Sequence, residues 1–229
     1  MLAIIDYRAP KSVINSLSNY VNDILLFKSE GITYNSISGH PDIFIYQDKL
    51  NLIIAPNSPT TLFDFLNKHK VNFQIGNSNV GNQLKDSVQY NCLSTEKYLI
   101  HKSGFTDKKV LETNIEKEFL NIPQAYTRCS LTHLKDKYFI TSDKGIQKEL
   151  TIRGFNVFFF APDEINIVDH KNGFIGGTNG IKNNKIFFMG SVTKHQDGEK
   201  LIKYLEHLKF EIINLGNDFL YDGGGLFFV

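Results

Sequence analysis

The sequence has no marked excess of charge, no long apolar run and no basic leader. Its 229 residues carry 25 basic and 24 acidic side chains, a net charge of +1, which gives no electrostatic reason to expect a nucleic-acid or membrane partner. The longest apolar stretch, "FNVFFFAP", is about a third of a membrane span. The start, "MLAIIDYRAP", lacks the features of a signal peptide. We therefore expect a cytoplasmic protein.

Cysteine is scarce, with only Cys92 and Cys129 in the chain. Without a leader, two cysteines indicate free thiols in a reducing compartment. No grouping of cysteine and histidine has zinc spacing, and no GxGxxG or Walker sequence is present, so we expect no cofactor. The composition, 41% hydrophobic and 21% charged, is typical of one globular domain over residues 1–229. It does not set the oligomeric state.

The sequence does contain a repeated unit. A polar turn with a lysine, followed by apolar residues, occurs four times, in "QDKLNLIIAP", "STEKYLIHK", "KDKYFITSD" and "NNKIFFMGS". A strand-like run precedes each turn: "DIFIY", "VQYNCL", "RCSLTHL" and "GFIGGTNG". Asp, Asn and Glu beside lysine suit an exposed hairpin turn, and β-branched and aromatic residues suit its strands. Each copy therefore predicts a β-hairpin.

Each hairpin leads into a capped amphipathic segment and then into another apolar run. The caps are Ser58-Pro59, Thr106-Asp107 and Ser142-Asp143, and Ser191 leads into the fourth segment. Ser, Thr and Asp side chains accept hydrogen bonds from the free N–H groups of a helix start, and proline is tolerated in the first turn. The apolar runs are "VNFQIG", "EFLNIP", "FNVFFFAP" and "FEIINLG". The predicted unit is strand, strand, helix, strand, with a period of about forty to fifty residues.

The two ends of the chain supply a fifth copy. "DFLYDGGGLFFV" at the C-terminus provides a first strand, and "MLAIIDY", "APKSVINSLSNYV" and "DILLF" at the N-terminus provide the rest. A repeat divided between the termini is how closed ring folds join their ends, since pairing of the terminal strands leaves no open sheet edge. The alternative is an ordinary α/β sheet whose hairpins merely look alike.

The five units resemble the pentein fold, the α/β propeller of the guanidine-modifying enzymes. The motifs that carry the resemblance are "SGHPDIFI", "YTRCS", "ITSDKGI", "GFIGGTNG" and "LYDGGG", and the chain is similar to a poorly characterised bacterial family of that fold. The fold class implied is α/β: a propeller of five ββαβ units, closed by the N- and C-terminal segments. The enzymes include arginine deiminases, dimethylarginine hydrolases, agmatine deiminases and amidinotransferases.

The resemblance implies a site for a small guanidino or amidino compound. In the enzymes a cysteine attacks the guanidinium carbon, a histidine moves protons and carboxylates hold the cation, chemistry that suits a planar cation and a poor electrophile. His40-Pro41-Asp42 matches the His-x-Asp pair of these enzymes. Their cysteine follows a glycine-rich turn near the C-terminus, where this chain has "GGGLFFV". Either the nucleophile is lost, or another repeat supplies it.

Counting back from each repeated lysine compares positions along the first strands. His40 and Asp42 lie nine and seven residues before Lys49, and Cys129 lies eight before Lys137. Gly177 lies eight before Lys185. We therefore expect these residues at one level near the central axis, joined by Gly176 and by Asp222. Strand alternation predicts that Arg128 points the other way.

Each candidate has a structural alternative. Cys129 is the candidate nucleophile or a small buried apolar residue, and His40 is the acid/base or a turn histidine. Asp42 and Asp222 are a clamp for the cation or bind backbone N–H groups. Asp143 faces the channel as a substrate ligand or caps a helix. Gly176 and Gly177 are substrate-binding positions or only let the backbone approach the channel closely.

Two functions remain open on these residues. The first is a cysteine-dependent amidino hydrolase or transferase with Cys129 and His40 as catalytic residues. The second is a non-catalytic pentein that binds a small ligand, or that serves as a ribosome-type binding module. The lack of a cysteine in the C-terminal segment "GGGLFFV" favours the second function. A cysteine, Cys129, at the same position along its first strand as the His-x-Asp pair favours the first.

Overall fold

The computed structural model describes residues 1–29 and 31–229. Within that part of the chain, the strands form five separate three-stranded sheets. The strands in chain order are β1 (Leu2–Asp6), β2 (Asp23–Phe27), β3 (Ile45–Gln47), β4 (Leu52–Ile54), β5 (Gln74–Ile75), β6 (Leu93–Ser94), β7 (Tyr98–His101), β8 (Glu118–Asn121), β9 (Leu131–Lys135), β10 (Tyr138–Thr141), β11 (Asn156–Phe159), β12 (Asn179–Lys182), β13 (Lys185–Phe188), β14 (Glu211–Asn214) and β15 (Phe227–Phe228). The helices are α1 (Lys11–Leu17), α2 (Thr60–Lys68), α3 (Lys108–Thr113), α4 (Thr127–Ser130), α5 (Lys144–Ile152) and α6 (Gly198–His207).

Four of the sheets have the predicted order within one stretch of chain. An antiparallel hairpin comes first, and a third strand then pairs parallel to the second after a helix, as in β9, β10, α5 and β11. A parallel return needs such a crossover, because two parallel strands cannot be joined by a tight turn. The strand, strand, helix, strand unit is therefore confirmed for these sheets.

The fifth sheet joins the two ends of the chain. β15 pairs antiparallel with β1, Ala3 opposite Phe228 and Ile4 opposite Phe227, and β1 pairs parallel with β2. Phe227 and Phe228 are 1% and 4% exposed. The prediction that the termini lie together and that both phenylalanines are buried is confirmed.

The longer helices pack on the sheets through apolar pairs four residues apart, the spacing that puts two side chains on one face of a helix. The pairs are Leu62 and Leu66 in α2, Ile146 and Leu150 in α5, and Leu201 and Leu205 in α6. Burying each such leucine or isoleucine contributes roughly 1.5–3 kcal/mol. No helix in the described ranges is both long and apolar enough to cross a membrane.

The predicted helix caps are found in part. The Asp107 carboxylate accepts hydrogen bonds from the N–H groups of Lys109 and Val110, and Asp143 accepts one from Ile146. Ser58 does not cap α2, because its hydroxyl donates to the carbonyl of Ala55.

The starts of the predicted first strands are helical turns instead of strand. Residues Pro41–Ile43 and Ile175–Thr178 form 3-10 turns, and Thr127–Ser130 is the short helix α4. The strands follow these turns, so Cys129 precedes β9 and does not head it. The prediction that alternation sends Arg128 away from the axis fails for this reason, since a helical turn rotates successive side chains by much less than half a revolution.

Candidate functional site

Three residues that the sequence singled out meet where the helical turns come together. One ligand-type atom each from His40, Asp42 and Cys129 lies within 4.8 Å of the other two. The thiol of Cys129 donates a hydrogen bond to Oδ2 of Asp42 at 2.8 Å. All three residues are buried, with 1%, 0% and 5% of their surface exposed.

Asn91, from the neighbouring unit, holds the turn that carries Cys129. Its side-chain oxygen accepts from the backbone N–H of Arg128 at 2.8 Å and of Cys129 at 3.3 Å. Its amide nitrogen donates to Sγ of Cys129 at 3.1 Å and to the carbonyl of Asp42 at 3.3 Å. The sequence interpretation missed Asn91; its signal is its place just before a first strand, six residues ahead of Lys97.

Asp222 lies beside this group and is held by the backbone. Its carboxylate accepts hydrogen bonds from the N–H of Phe174 at 2.8 Å and of Gly224 at 3.1 Å. A Cβ atom on Gly177 would overlap the Asp222 carboxylate. Glycine at position 177 therefore leaves the space that Asp222 occupies.

Gly176 packs the 3-10 turn directly onto α4. A Cβ there would meet the backbone carbonyls of Arg128 and Cys129, so glycine allows the close backbone approach that the sequence predicts. Gly224 has φ +71 and packs against His40 and Asp42 on another side. An L side chain is disfavoured there by both the dihedral angle and the lack of space.

Arg128 turns inward and approaches the same cluster. Its Nη1 atom lies 3.7 Å from Oδ2 of Asp42 and donates to the carbonyl of Gly224 at 3.1 Å. The guanidinium lies over the ring of Phe227, with Cζ 4.1 Å from the ring centroid. Arg128 therefore places a positive charge beside Asp42, whereas the sequence predicted that its side chain points away.

Asp6, at the end of β1, is a further carboxylate beside the cluster, and the sequence interpretation missed it. Arg8 binds it through Nη2 at 2.9 Å and Nε at 3.1 Å, and the Tyr221 hydroxyl donates to it at 3.0 Å. Nε2 of His40 lies 3.9 Å from Asp6. Neither ring nitrogen of His40 has a hydrogen-bond partner among the described residues, which leaves the imidazole available to a ligand.

His40, Cys129 and Asp222 line one pocket of about 410 Å³. Its walls include three aromatic residues, Tyr34, Tyr126 and Phe174, and one lysine, Lys171. The hydroxyls of Tyr34 and Tyr126 lie 2.6 Å apart.

Of the predicted ligands, Asp222 lines this pocket. Asp42 and Gly177 lie behind it, against Cys129 and Asp222. Gly176 lines a different cavity that runs along the first strands.

Asp143 has the alternative role that the sequence offered: its carboxylate caps α5 by accepting a hydrogen bond from Ile146. It also accepts one from Gln124, and it is not among the described residues of this pocket.

Burial and neighbouring charge set the protonation of the cluster. Burial raises the pKa of Cys129 well above its ordinary value, and the charges of Asp42 and Asp222 raise it further. Burial raises the pKa of Asp42 to about 6, against the opposing effect of Arg128. The pKa of Asp222 is likewise raised by burial, and that of His40 is lowered by burial. The resting site therefore has a protonated thiol beside a neutral imidazole near pH 7.

His40, Asp42 and Cys129 are also residue types that bind a metal such as zinc. Each offers one ligand atom to a common point. The Arg128 guanidinium, 3.7 Å from Asp42, opposes a divalent cation there, because like charges repel strongly in a buried site.

Several solved structures have the same fold at low sequence identity. DDAH from Pseudomonas aeruginosa, a cysteine-to-serine mutant complexed with citrulline, matches with a TM-score of 0.54 and 10% identity over 94% of this chain and 91% of that one. Agmatine deiminase from C. jejuni matches with a TM-score of 0.59 and 11% identity over 94% and 86%. SxtG, an amidinotransferase from Microseira wollei, matches with a TM-score of 0.55 and 8% identity over 93% and 87%. The chain therefore has the pentein fold.

Residues 4–227 match the family of unknown function DUF6873, and the chain belongs to that family. No curated protein matches the sequence.

Proposed function

We propose that the pocket lined by His40, Cys129 and Asp222 binds a small guanidino or amidino compound, and that Cys129 reacts with its central carbon. The observation that carries the proposal is the hydrogen bond from the Cys129 thiol to Asp42, with His40 and Asp222 at the same pocket. A nucleophile (Cys129), an acid/base (His40) and a carboxylate that can bind a cation (Asp222) therefore line one pocket.

The proposal includes a closed ring of five units around this site. Its support is the set of links between neighbouring first strands. Gln47 of β3 donates to the carbonyl of Phe228 in β15, Leu226 beside β15 donates to Asn179 of β12, and Asn179 bonds Thr132 of β9. β6 lies against both β3 and β9.

Binding a planar cation suits the pocket walls. The Asp222 carboxylate supplies negative charge and retains acceptor capacity beyond its two backbone hydrogen bonds. Tyr34, Tyr126 and Phe174 supply aromatic faces on which a guanidinium stacks. A bound cation would also lower the pKa of Cys129, since it offsets the two carboxylates that hold the proton on sulfur.

The reaction that we propose begins at the thiol. Its proton passes to Asp42 as sulfur attacks the central carbon of the cation, giving a neutral tetrahedral adduct. His40 carries that proton from Asp42 to the departing nitrogen, the carbon–nitrogen bond breaks and an amine leaves. The amidino group stays on sulfur until water or a second amine removes it, which restores the thiol. Water gives a hydrolase, and an amine gives a transferase.

The test uses a covalent probe that is known to form an adduct in a structural relative. S-methyl-L-thiocitrulline forms one with a dimethylarginine dimethylaminohydrolase variant. We expect intact-mass and peptide analysis to find the adduct on Cys129, and turnover of agmatine or dimethylarginine to disappear in Cys129→Ser. Cys92→Ser is the matched control, because Cys92 is also buried and lies outside the pocket. Labelling of neither cysteine, with no turnover, would exclude the reaction.

A second candidate function is binding without reaction. Two observations favour it: Phe227 and Phe228 follow the glycine-rich turn after which the resemblance implies a cysteine, and the Cys129 thiol is held protonated. Under this function Cys129→Ser would bind agmatine as tightly as the parent, and neither protein would convert it. The near-neutral net charge of +1 favours a small ligand over a ribosomal surface.

A further inference from the structure

A second cavity, of about 470 Å³, extends along the first strands from the candidate site toward the hairpin turns. Every one of the five sheets contributes to it through its first strand. The contributing strand residues include Gln47, Ser94, Thr132, Asn179 and Phe227. It has no lining residue in common with the pocket of His40 and Cys129.

Arg128 lies at the inner end of this cavity, while its neighbour Cys129 faces the other pocket. A guanidinium has five N–H donors. Among the described residues, the one hydrogen bond from the Arg128 side chain is Nη1 to the carbonyl of Gly224. Asp42 is 3.7 Å away, beyond hydrogen-bonding distance. A largely buried cation therefore has unused donors beside an open cavity.

Positive charge also dominates the outer end of the cavity. Lys49 and Lys182, from two hairpin turns, line it and are exposed to solvent. The lining carboxylate is Asp48, and it is already engaged: Lys117 lies 3.3 Å from it, and the backbone N–H groups of Leu50 and Asn51 donate to it. Glu96 lies 3.7 Å from Lys49, but both side chains are more than 80% exposed, so that pair is weak.

We propose that this cavity binds a small anion with a carboxylate or phosphate group, which accepts hydrogen bonds from Arg128 while Lys49 and Lys182 attract it to the entrance. The fork of N–H donors on a guanidinium matches two oxygens of either group, and burial strengthens the interaction. Thr132, Ser94, Asn179 and Gln47 line the same space and make its walls polar. The cavity volume is within the range of small-molecule sites. This site goes beyond the proposed function and does not depend on Cys129.

The experiment measures binding of inorganic phosphate and of succinate to the full chain by calorimetry at constant ionic strength, with chloride as the balancing ion. We expect at least one of the two to bind at one site per chain, and comparison of the two shows which group is preferred. Binding of neither anion would overturn the proposal.

Two pairs of substitutions locate the site. Lys49→Gln with Lys182→Gln should weaken binding about 3- to 10-fold, the effect of removing two exposed charges. Lys97→Gln with Lys137→Gln is the matched control, because these turn lysines are equally exposed and line a different cavity. An equal loss in both pairs would reduce the binding to general charge attraction and overturn the site.

Arg128→Gln should abolish binding, and Cys129→Ser should leave it unchanged. Retained binding in a folded Arg128→Gln protein would overturn the role of the guanidinium. Should that variant fail to fold, the comparison of the two lysine pairs decides the proposal alone. Loss of binding in Cys129→Ser, with the fold intact, would place the anion in the other pocket.

Discussion

The thiol of Cys129 donates a hydrogen bond to the carboxylate of Asp42, Sγ to Oδ2, at 2.8 Å, although 87 positions separate the two residues in the chain. The two side chains come from helical turns in different units and meet because each turn precedes the first strand of its unit. A carboxylate in this position stabilises the thiol and disfavours the thiolate, so it controls when the sulfur can react.

The first prediction concerns the reactivity of Cys129. Asp42→Asn should increase the rate of its alkylation by iodoacetamide at pH 8 severalfold, because loss of the neighbouring negative charge lowers the pKa of the thiol. The rates are measured by peptide mass spectrometry, with Cys92 as the internal reference. Asp143→Asn is the control, because it makes the same change at a carboxylate that caps α5. A rate in Asp42→Asn equal to that of the parent would show that the carboxylate does not hold the thiol protonated.

The second prediction concerns the pH dependence of stability. The pKa of Asp42 is raised to about 6 in the folded protein from an ordinary 3.8, so the folded state binds more protons than the unfolded state between these values. The contribution of Asp42 to stability is therefore present below about pH 4 and is lost as the pH rises through 6. The difference in unfolding free energy between pH 4 and pH 7 should be smaller in Asp42→Asn by roughly 2 kcal/mol.

Urea unfolding of both proteins at several pH values measures this difference. Asp222 also has a pKa raised by burial and, in part, by the charge of Asp42. Asp42→Asn removes that part too, and this change acts on the pH profile in the same direction. Parallel pH profiles for the parent and Asp42→Asn would contradict the assignment.

The third prediction concerns the space that Gly177 leaves for Asp222. Gly177→Ala should destabilise the protein by about 1–3 kcal/mol, the usual cost of overpacking, because the added methyl group overlaps the Asp222 carboxylate. The free energy of unfolding is measured in urea. Gly216→Ala is the control, since the nearest atom to its new Cβ would be 3.3 Å away. Equal effects at the two glycines would mean that the loss does not come from the contact with Asp222.

The fourth prediction concerns the junction of the termini. Deleting residues 226–229 removes Leu226, Phe227 and Phe228, which are 2%, 1% and 4% exposed, and it removes the partner strand of β1. With roughly 2–3 kcal/mol for each buried side chain, the loss should reach several kcal/mol. Thermal unfolding measures it, with Phe219→Ala as a control because that ring is 45% exposed. An unchanged melting temperature in the truncated protein would show that the junction does not stabilise the fold.

Local sequence patterns were enough to predict the strand, strand, helix, strand order and the pairing of the two ends. Both follow from local pattern: alternating apolar residues, turn residues around a lysine, and a capped amphipathic helix specify strands and helices wherever they occur. The order of those elements makes the C-terminal run the missing first strand of the N-terminal unit. Counting from the lysines also predicted that His40, Asp42 and Cys129 lie at one level, and their ligand atoms lie within 4.8 Å of one another. Asp222 was predicted to join them from its place just before the C-terminal glycine run.

The folding of the residues just before the first strands, and the direction of their side chains, depend on contacts between units. The turn at Thr127–Ser130 is too short to be stable alone. It is held by Asn91 from another unit, whose side chain and carbonyl accept from the backbone N–H groups of Thr127, Arg128 and Cys129. That turn directs Cys129 to one cavity and Arg128 to the other. No local pattern contains this information, because the hydrogen bonds that stabilise the turn come from residues more than 35 positions away.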